Sequence, residues 1–75
     1  MSMDDFLEKA ILIVPASEKD LRDWLSEARR RLLAHSASEP KLQLELVKII
    51  QDELPPKATT GWHAELGKLW TEYRP

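Results

Sequence analysis

The sequence predicts an all-α protein, a compact bundle of four short helices that forms one domain over residues 1–75. Three observations support this fold class. Apolar residues recur at the three- and four-residue spacing of a helix face. All five prolines fall between or at the ends of these periodic segments, where a fixed φ and a missing N–H do little harm. Serines precede several segments, and serine is a preferred helix N-cap.

Helix 1 is predicted over residues 4–14, with Ser2 as its N-cap and Pro15 ending it. Acidic residues stand in the first turn, where the helix dipole favours them. The run 11–14 could instead form a short strand, but no second candidate strand is present to pair with it, so we prefer the helix. Its predicted buried face contains Met3, Phe6, Leu7, Ala10, Ile11 and Val14.

Helix 2 is predicted over residues 18–35. Ser17 and Asp20 have the three-residue separation of a capping box, which would satisfy free N–H groups at the start of the helix. Two favourable i,i+4 ion pairs are expected along it: Glu18 with Arg22, and Glu27 with Arg31.

Helix 3 is predicted over residues 39–54, with Pro40 in its first turn. Its apolar residues cover more than half of the circumference, which is more than one core face requires. We therefore expect helix 3 at the centre of the bundle, with apolar surface left over. One face carries Leu42, Leu46, Ile49 and Ile50, and Leu44, Val47 and Leu54 widen the arc.

Helix 4 is predicted over residues 62–73, with Thr60 as a possible cap. Its apolar residues form a narrow stripe like a coiled-coil seam. The preceding loop, 55–61, is interpreted as a linker, although its Pro-Pro-Lys start could present an extended recognition segment. The stripe consists of Trp62, Leu66, Leu69, Trp70 and Tyr73.

Composition excludes several classes of protein. The absence of cysteine excludes disulfides and zinc–thiolate sites and favours an intracellular, cytoplasmic location. The first five residues are acidic where a signal peptide would be basic, and the longest apolar run, 10–14, is too short to cross a bilayer. The net charge of −2 gives no electrostatic basis for general binding to nucleic acid or to anionic membranes.

No catalytic, cofactor or metal motif is present, so we expect neither an enzyme nor a cofactor. The two histidines, His35 and His63, lack partners at a recognised ligand spacing. The only glycines, Gly61 and Gly67, do not form a phosphate-binding loop, and no small-molecule substrate is evident.

The sequence therefore predicts a small non-enzymatic interaction module, such as an adaptor, an inhibitor or a regulatory subunit. Its partner would be another protein or a second copy in a homodimer, since aromatic and aliphatic residues at helical spacing suit helix docking. The expected partner-binding residues are Trp62, Leu66, Trp70 and Tyr73, with Leu44 and Val47 as a second patch.

Two alternatives remain open. The first is a nucleic-acid-binding domain that uses the basic face of helix 2, through Arg22, Arg29 and Arg30, together with Lys68 on helix 4. The second is a structural component of a larger assembly, of phage or bacterial origin. A chain of this size suits such a role, although no residue specifies it.

Overall fold

Helices account for about four-fifths of the computed structural model, which describes residues 1–54 and 61–73. In chain order they are α1 (Met3–Ile13), α2 (Lys19–Leu33), α3 (Glu39–Glu53) and α4 (Gly61–Tyr73). The predicted all-α bundle is confirmed, and each predicted boundary lies within two residues of the observed one. No strand occurs in the described ranges, so the alternative of a strand at 11–14 is wrong.

The ends of α1 follow from its flanking residues. Ser2 is the N-cap, as predicted, and its hydroxyl accepts a hydrogen bond from the backbone N–H of Asp5 at 3.2 Å. Val14, which precedes Pro15, is extended with ψ of 126° rather than helical. The clash that proline imposes on a helical preceding residue explains this ending.

The predicted capping box at the start of α2 is wrong. The N-cap is Glu18, one residue after Ser17, and its side chain makes no capping hydrogen bond. The Glu18 N–H instead donates to the Pro15 carbonyl at 3.0 Å, closing a turn that contains Ser17. The turn after α1 therefore takes up the serine that would have capped α2.

The end of α2 was predicted two residues too late. His35 has φ of 57°, in the left-handed region, and so stops the helix. The His35 N–H donates to the Leu32 carbonyl at 3.2 Å, and the Ser36 N–H donates to the Arg31 carbonyl at 2.9 Å. These two bonds form a Schellman motif, with histidine at the position that glycine usually occupies.

Ser38 is the N-cap of α3 and Pro40 lies in its first turn, as predicted, although the Ser38 side chain makes no capping hydrogen bond. The helix ends at Glu53, and Leu54 is extended. Thr60 and the rest of the proposed recognition loop at 55–60 lie outside the described residues.

The central helix is α1, so the prediction that helix 3 occupies the centre is wrong. Helix α1 packs closely against both α2 and α4. The inward side chains of α1 are fully buried. Ala10 on α1 and Ala28 on α2 are small and allow the two helices to approach closely. The buried core comprises Met3, Phe6, Leu7, Ala10, Val14, Leu21, Leu25, Ala28, Leu42, Leu46, Ile50, Leu66, Leu69 and Tyr73.

The four helices that enclose this core are as compact as expected for a small domain. The radius of gyration is 11.7 Å, close to the value of about 11 Å expected for a compact chain of this length. None of the helices in the described ranges has both the length and the apolar character that crossing a bilayer requires.

Candidate interaction surface

The aromatic stripe of α4 is divided between the core and the surface. Leu66 is 0% exposed and Tyr73 is nearly as well buried, so both belong to the core together with Leu69. Trp62 and Trp70 are half-buried and pack against that core. Of the four α4 residues predicted to bind a partner, only the two tryptophans keep part of their rings accessible.

Phe6 of α1 holds the C-terminal end of this stripe in place. Its ring stacks on Tyr73 with centroids 4.9 Å apart, and it meets Trp70 edge-on at 5.7 Å. Such pairs contribute about 0.5–1.5 kcal/mol each beyond the burial of their area. This end of the stripe is therefore an intramolecular contact between α1 and α4.

The environment of Tyr73 follows from the same contacts. Burial raises the pKa of its phenol above the ordinary value, and the nearby carboxylate of Glu39 raises that pKa further. The position of Glu39 also shows that the start of α3 lies close to the end of α4. The phenol is neutral at physiological pH and belongs to the packed interior.

Helix α3 presents apolar residues on two opposite sides. Leu42, Leu46 and Ile50 face the core and are almost fully buried. Leu44 points the other way and is 69% exposed, and Val47 is half-buried without packing against the core. These are the two residues of the second predicted patch, and the structure places them on one outward face.

The outward face continues along most of the helix at coiled-coil spacing. The residues follow a 4-3-4 pattern, which is part of the spacing of a heptad seam. We call this set the outer stripe. This pattern is present in the sequence, but it is hard to recognise there. The core residues of α3 alternate with those of the outer stripe, and the two sets together cover most of the helix circumference with apolar residues. The outer stripe consists of Pro40, Leu44, Val47 and Gln51. Leu54 follows at the next interval, but it lies beyond the last helical residue and packs against the core.

Two of the four residues of the nucleic-acid alternative, Arg29 and Arg30, form ion pairs within the chain. The Arg29 Nε atom donates to an oxygen of Asp4 at 2.9 Å, and its Nη2 atom lies 3.6 Å from Glu8. These ion pairs join α2 to α1 in antiparallel orientation. They also bring Arg29 against an acidic cluster in which Asp4, Asp5 and Glu8 converge within 4.8 Å.

Arg30 bonds to Glu27 one turn earlier on the same helix. The hydrogen bond lowers the pKa of Glu27 and raises that of Arg30. Glu27 was predicted to pair with Arg31 instead, and that prediction is wrong by one residue. The other ion pair predicted on this helix, Glu18 with Arg22, is absent from the described contacts within 4 Å.

The four proposed nucleic-acid residues do not form one continuous basic surface. Arg22 is half-buried on α2, while Lys68 is exposed on α4, whose close neighbour is α1. Arg29 and Arg30 are already paired with carboxylates. Phosphate binding requires several free cationic groups in register, and two of these four residues are already paired.

An open cavity of about 660 Å³ lies where the start of α1 meets the connection between α2 and α3. Except for the half-buried Asp4, its polar lining residues are exposed, so no buried polar group is directed at a ligand. The buried residues of the described chain include no charged side chain. The cavity is lined by Ser2, Met3, Asp4, Leu32, His35, Ser36, Ala37, Ser38 and Glu39.

No protein-family model, no curated protein and no solved structure significantly matches this chain.

Proposed function

We propose that this chain is a non-enzymatic protein-interaction module that binds a protein partner through the outer stripe of α3. Leu44 and Val47 form the centre of the contact. Trp62 and Trp70 are proposed as additional contacts, because each is only half-buried. The module would act as an adaptor, an inhibitor or a regulatory subunit.

The position of Leu44 and Val47 is the observation that carries this proposal. The helix supplies Leu42, Leu46 and Ile50 to the core, whereas Leu44 and Val47 do not pack against that core. Apolar residues that line one exposed helix face are typical of sites that bind another helix.

The exposed Leu12 lacks this arrangement. Leu12 is 82% exposed, more than Leu44, but its helical neighbours one turn earlier are Glu8 and Lys9. A single apolar residue among charged ones is common on protein surfaces and needs no partner. Leu44 instead has Pro40 one turn earlier and Val47 one turn later.

Two further observations support the non-enzymatic and cytoplasmic parts of the proposal. Enzyme active sites usually contain buried or strongly perturbed polar groups, and the buried residues in the described ranges are apolar or aromatic. The sequence contains no cysteine, which suits a compartment where disulfides do not form.

Site-specific photo-crosslinking in the native cell tests the proposal. A photoreactive residue is placed at position 44 or, as a matched control, at position 12. We expect a discrete protein adduct from position 44 that disappears with Val47→Asp, and none from position 12. The same adducts from both positions, or none from position 44, would refute the proposal.

A further inference from the structure

We propose that the outer stripe of α3 binds one amphipathic helix of a different protein, with acidic residues bordering the apolar seam of that helix. The inference rests on the interaction function proposed above and specifies the chemistry of the partner. It follows from the heptad register of the outer stripe and from the charges along its edge.

The register assigns positions in a two-helix coiled coil. Leu44 and Gln51 occupy a positions, and Pro40 and Val47 occupy d positions. The seam therefore runs from Pro40 to Gln51, over most of α3. A polar residue at one a position, here Gln51, is a common way to fix the register of a paired helix.

The edge of the seam nearest Leu44 is basic. At about 100° per residue, Lys48 lies roughly 40° and Lys41 roughly 60° around the helix from Leu44. Asp52 and Glu45 lie on the same side but farther away, at roughly 80° and 100°. The lysines are thus the charged residues that a partner helix would meet first.

Both lysines are exposed and free to form such contacts. Ion pairs within 4 Å in the described part of the chain involve Arg29 and Arg30, and neither Lys41 nor Lys48 takes part in one. In the coiled-coil register both occupy e positions, whose side chains reach across to the facing helix. Glutamates on that helix would therefore complement them.

A second copy of this chain does not provide that complement. In an antiparallel pair of α3 helices, e positions face e positions, so Lys41 and Lys48 would meet lysines. In a parallel pair they would face g positions, which are Gln43 and the buried Ile50. Neither orientation forms an ion pair, so the charges favour a different protein over a homodimer.

Two synthetic peptides of three heptads test the inference with the full chain. Both have leucine at a and d, and they differ only in carrying glutamate or lysine at e and g. Each exposed ion pair changes affinity by a factor of about two to five. We therefore expect the chain to bind the glutamate peptide about tenfold more tightly than the lysine peptide at low ionic strength, measured by fluorescence anisotropy.

Variants of α3 provide the controls. Lys41→Glu combined with Lys48→Glu should reverse the preference, and Leu44→Asp should abolish binding of both peptides. Equal affinities, a preference unaffected by the lysine changes, or no binding to either peptide would overturn the inference. Leu44-dependent self-association of the chain, or Leu44-dependent binding to anionic lipid vesicles instead of the glutamate peptide, would also overturn it.

The peptide and crosslinking experiments separate the two proposals. A Val47-dependent adduct from position 44 in the cell, combined with no preference for the acidic peptide, would leave the interaction function standing and refute the acidic partner. If the adduct and the preference for the acidic peptide are both absent, the interaction function itself is refuted.

Discussion

Two leucines of α3 that are two positions apart should respond very differently to truncation. Leu46 is 0% exposed and Leu44 is 69% exposed. Replacing a buried leucine by alanine costs about 2–5 kcal/mol, because apolar contacts are lost and a cavity remains. Replacing an exposed leucine usually changes stability by no more than about 0.5 kcal/mol. We therefore expect a difference of roughly 2 kcal/mol or more between Leu46→Ala and Leu44→Ala.

This difference is large for so small a domain. A chain of 75 residues has a total stability of about 4–11 kcal/mol. Urea unfolding followed by circular dichroism at 222 nm measures both variants on the same helix with the same residue change. At a denaturant slope of about 1 kcal/mol per molar urea, the midpoint for Leu46→Ala should fall by about 2 M or more. Equal losses for the two variants would show that Leu44 belongs to the core, and the outer stripe would not exist.

Two other predictions concern stability. His35→Gly should raise the free energy of unfolding by about 0.5–1 kcal/mol in urea unfolding, since glycine adopts the observed φ of 57° without steric cost. The control Ala34→Gly, at φ of −81°, should not stabilise the protein, and a similar gain from both would contradict the reasoning. Tyr73, the only tyrosine, has a raised pKa in the folded state because of its burial and of Glu39. The stabilisation associated with this raised pKa is therefore fully present at pH values below the pKa of the unfolded state. It is lost as the pH rises through the pKa of the folded state. Between pH 8 and pH 11, the free energy of unfolding measured in urea should fall less for Tyr73→Phe than for the parent protein. Equal decreases would refute this assignment.

The helix count was predictable because its signals are local. Proline, serine and the apolar period act within a few residues, and they placed all four helices. The errors arose where two local options competed. Ser17 could cap α2 or join the turn that begins at Pro15, and the turn prevailed. His35 could extend α2 or end it in the left-handed conformation, and the Schellman hydrogen bonds decided in favour of the ending.

The candidate site was only partly predictable. Leu44 and Val47 were identified because α3 has more apolar residues than one face needs. The sequence could not determine which side of α3 is buried, since that depends on the helices packed against it. For the same reason Leu66 and Tyr73 could not be separated from Trp62. The pairing of Arg29 with Asp4 joins residues far apart in the chain and leaves no periodic signal.

The aromatic contact between α1 and α4 also determines when the core can form during protein synthesis. Phe6 leaves the ribosome before Trp70 and Tyr73, which pack on its ring and are made only with the fourth helix. Until then the nascent chain carries a large apolar side chain without its partners, and exposed apolar groups of this kind favour aggregation. Packing of α1 against α2 is the part of the fold that can form before α4 is made.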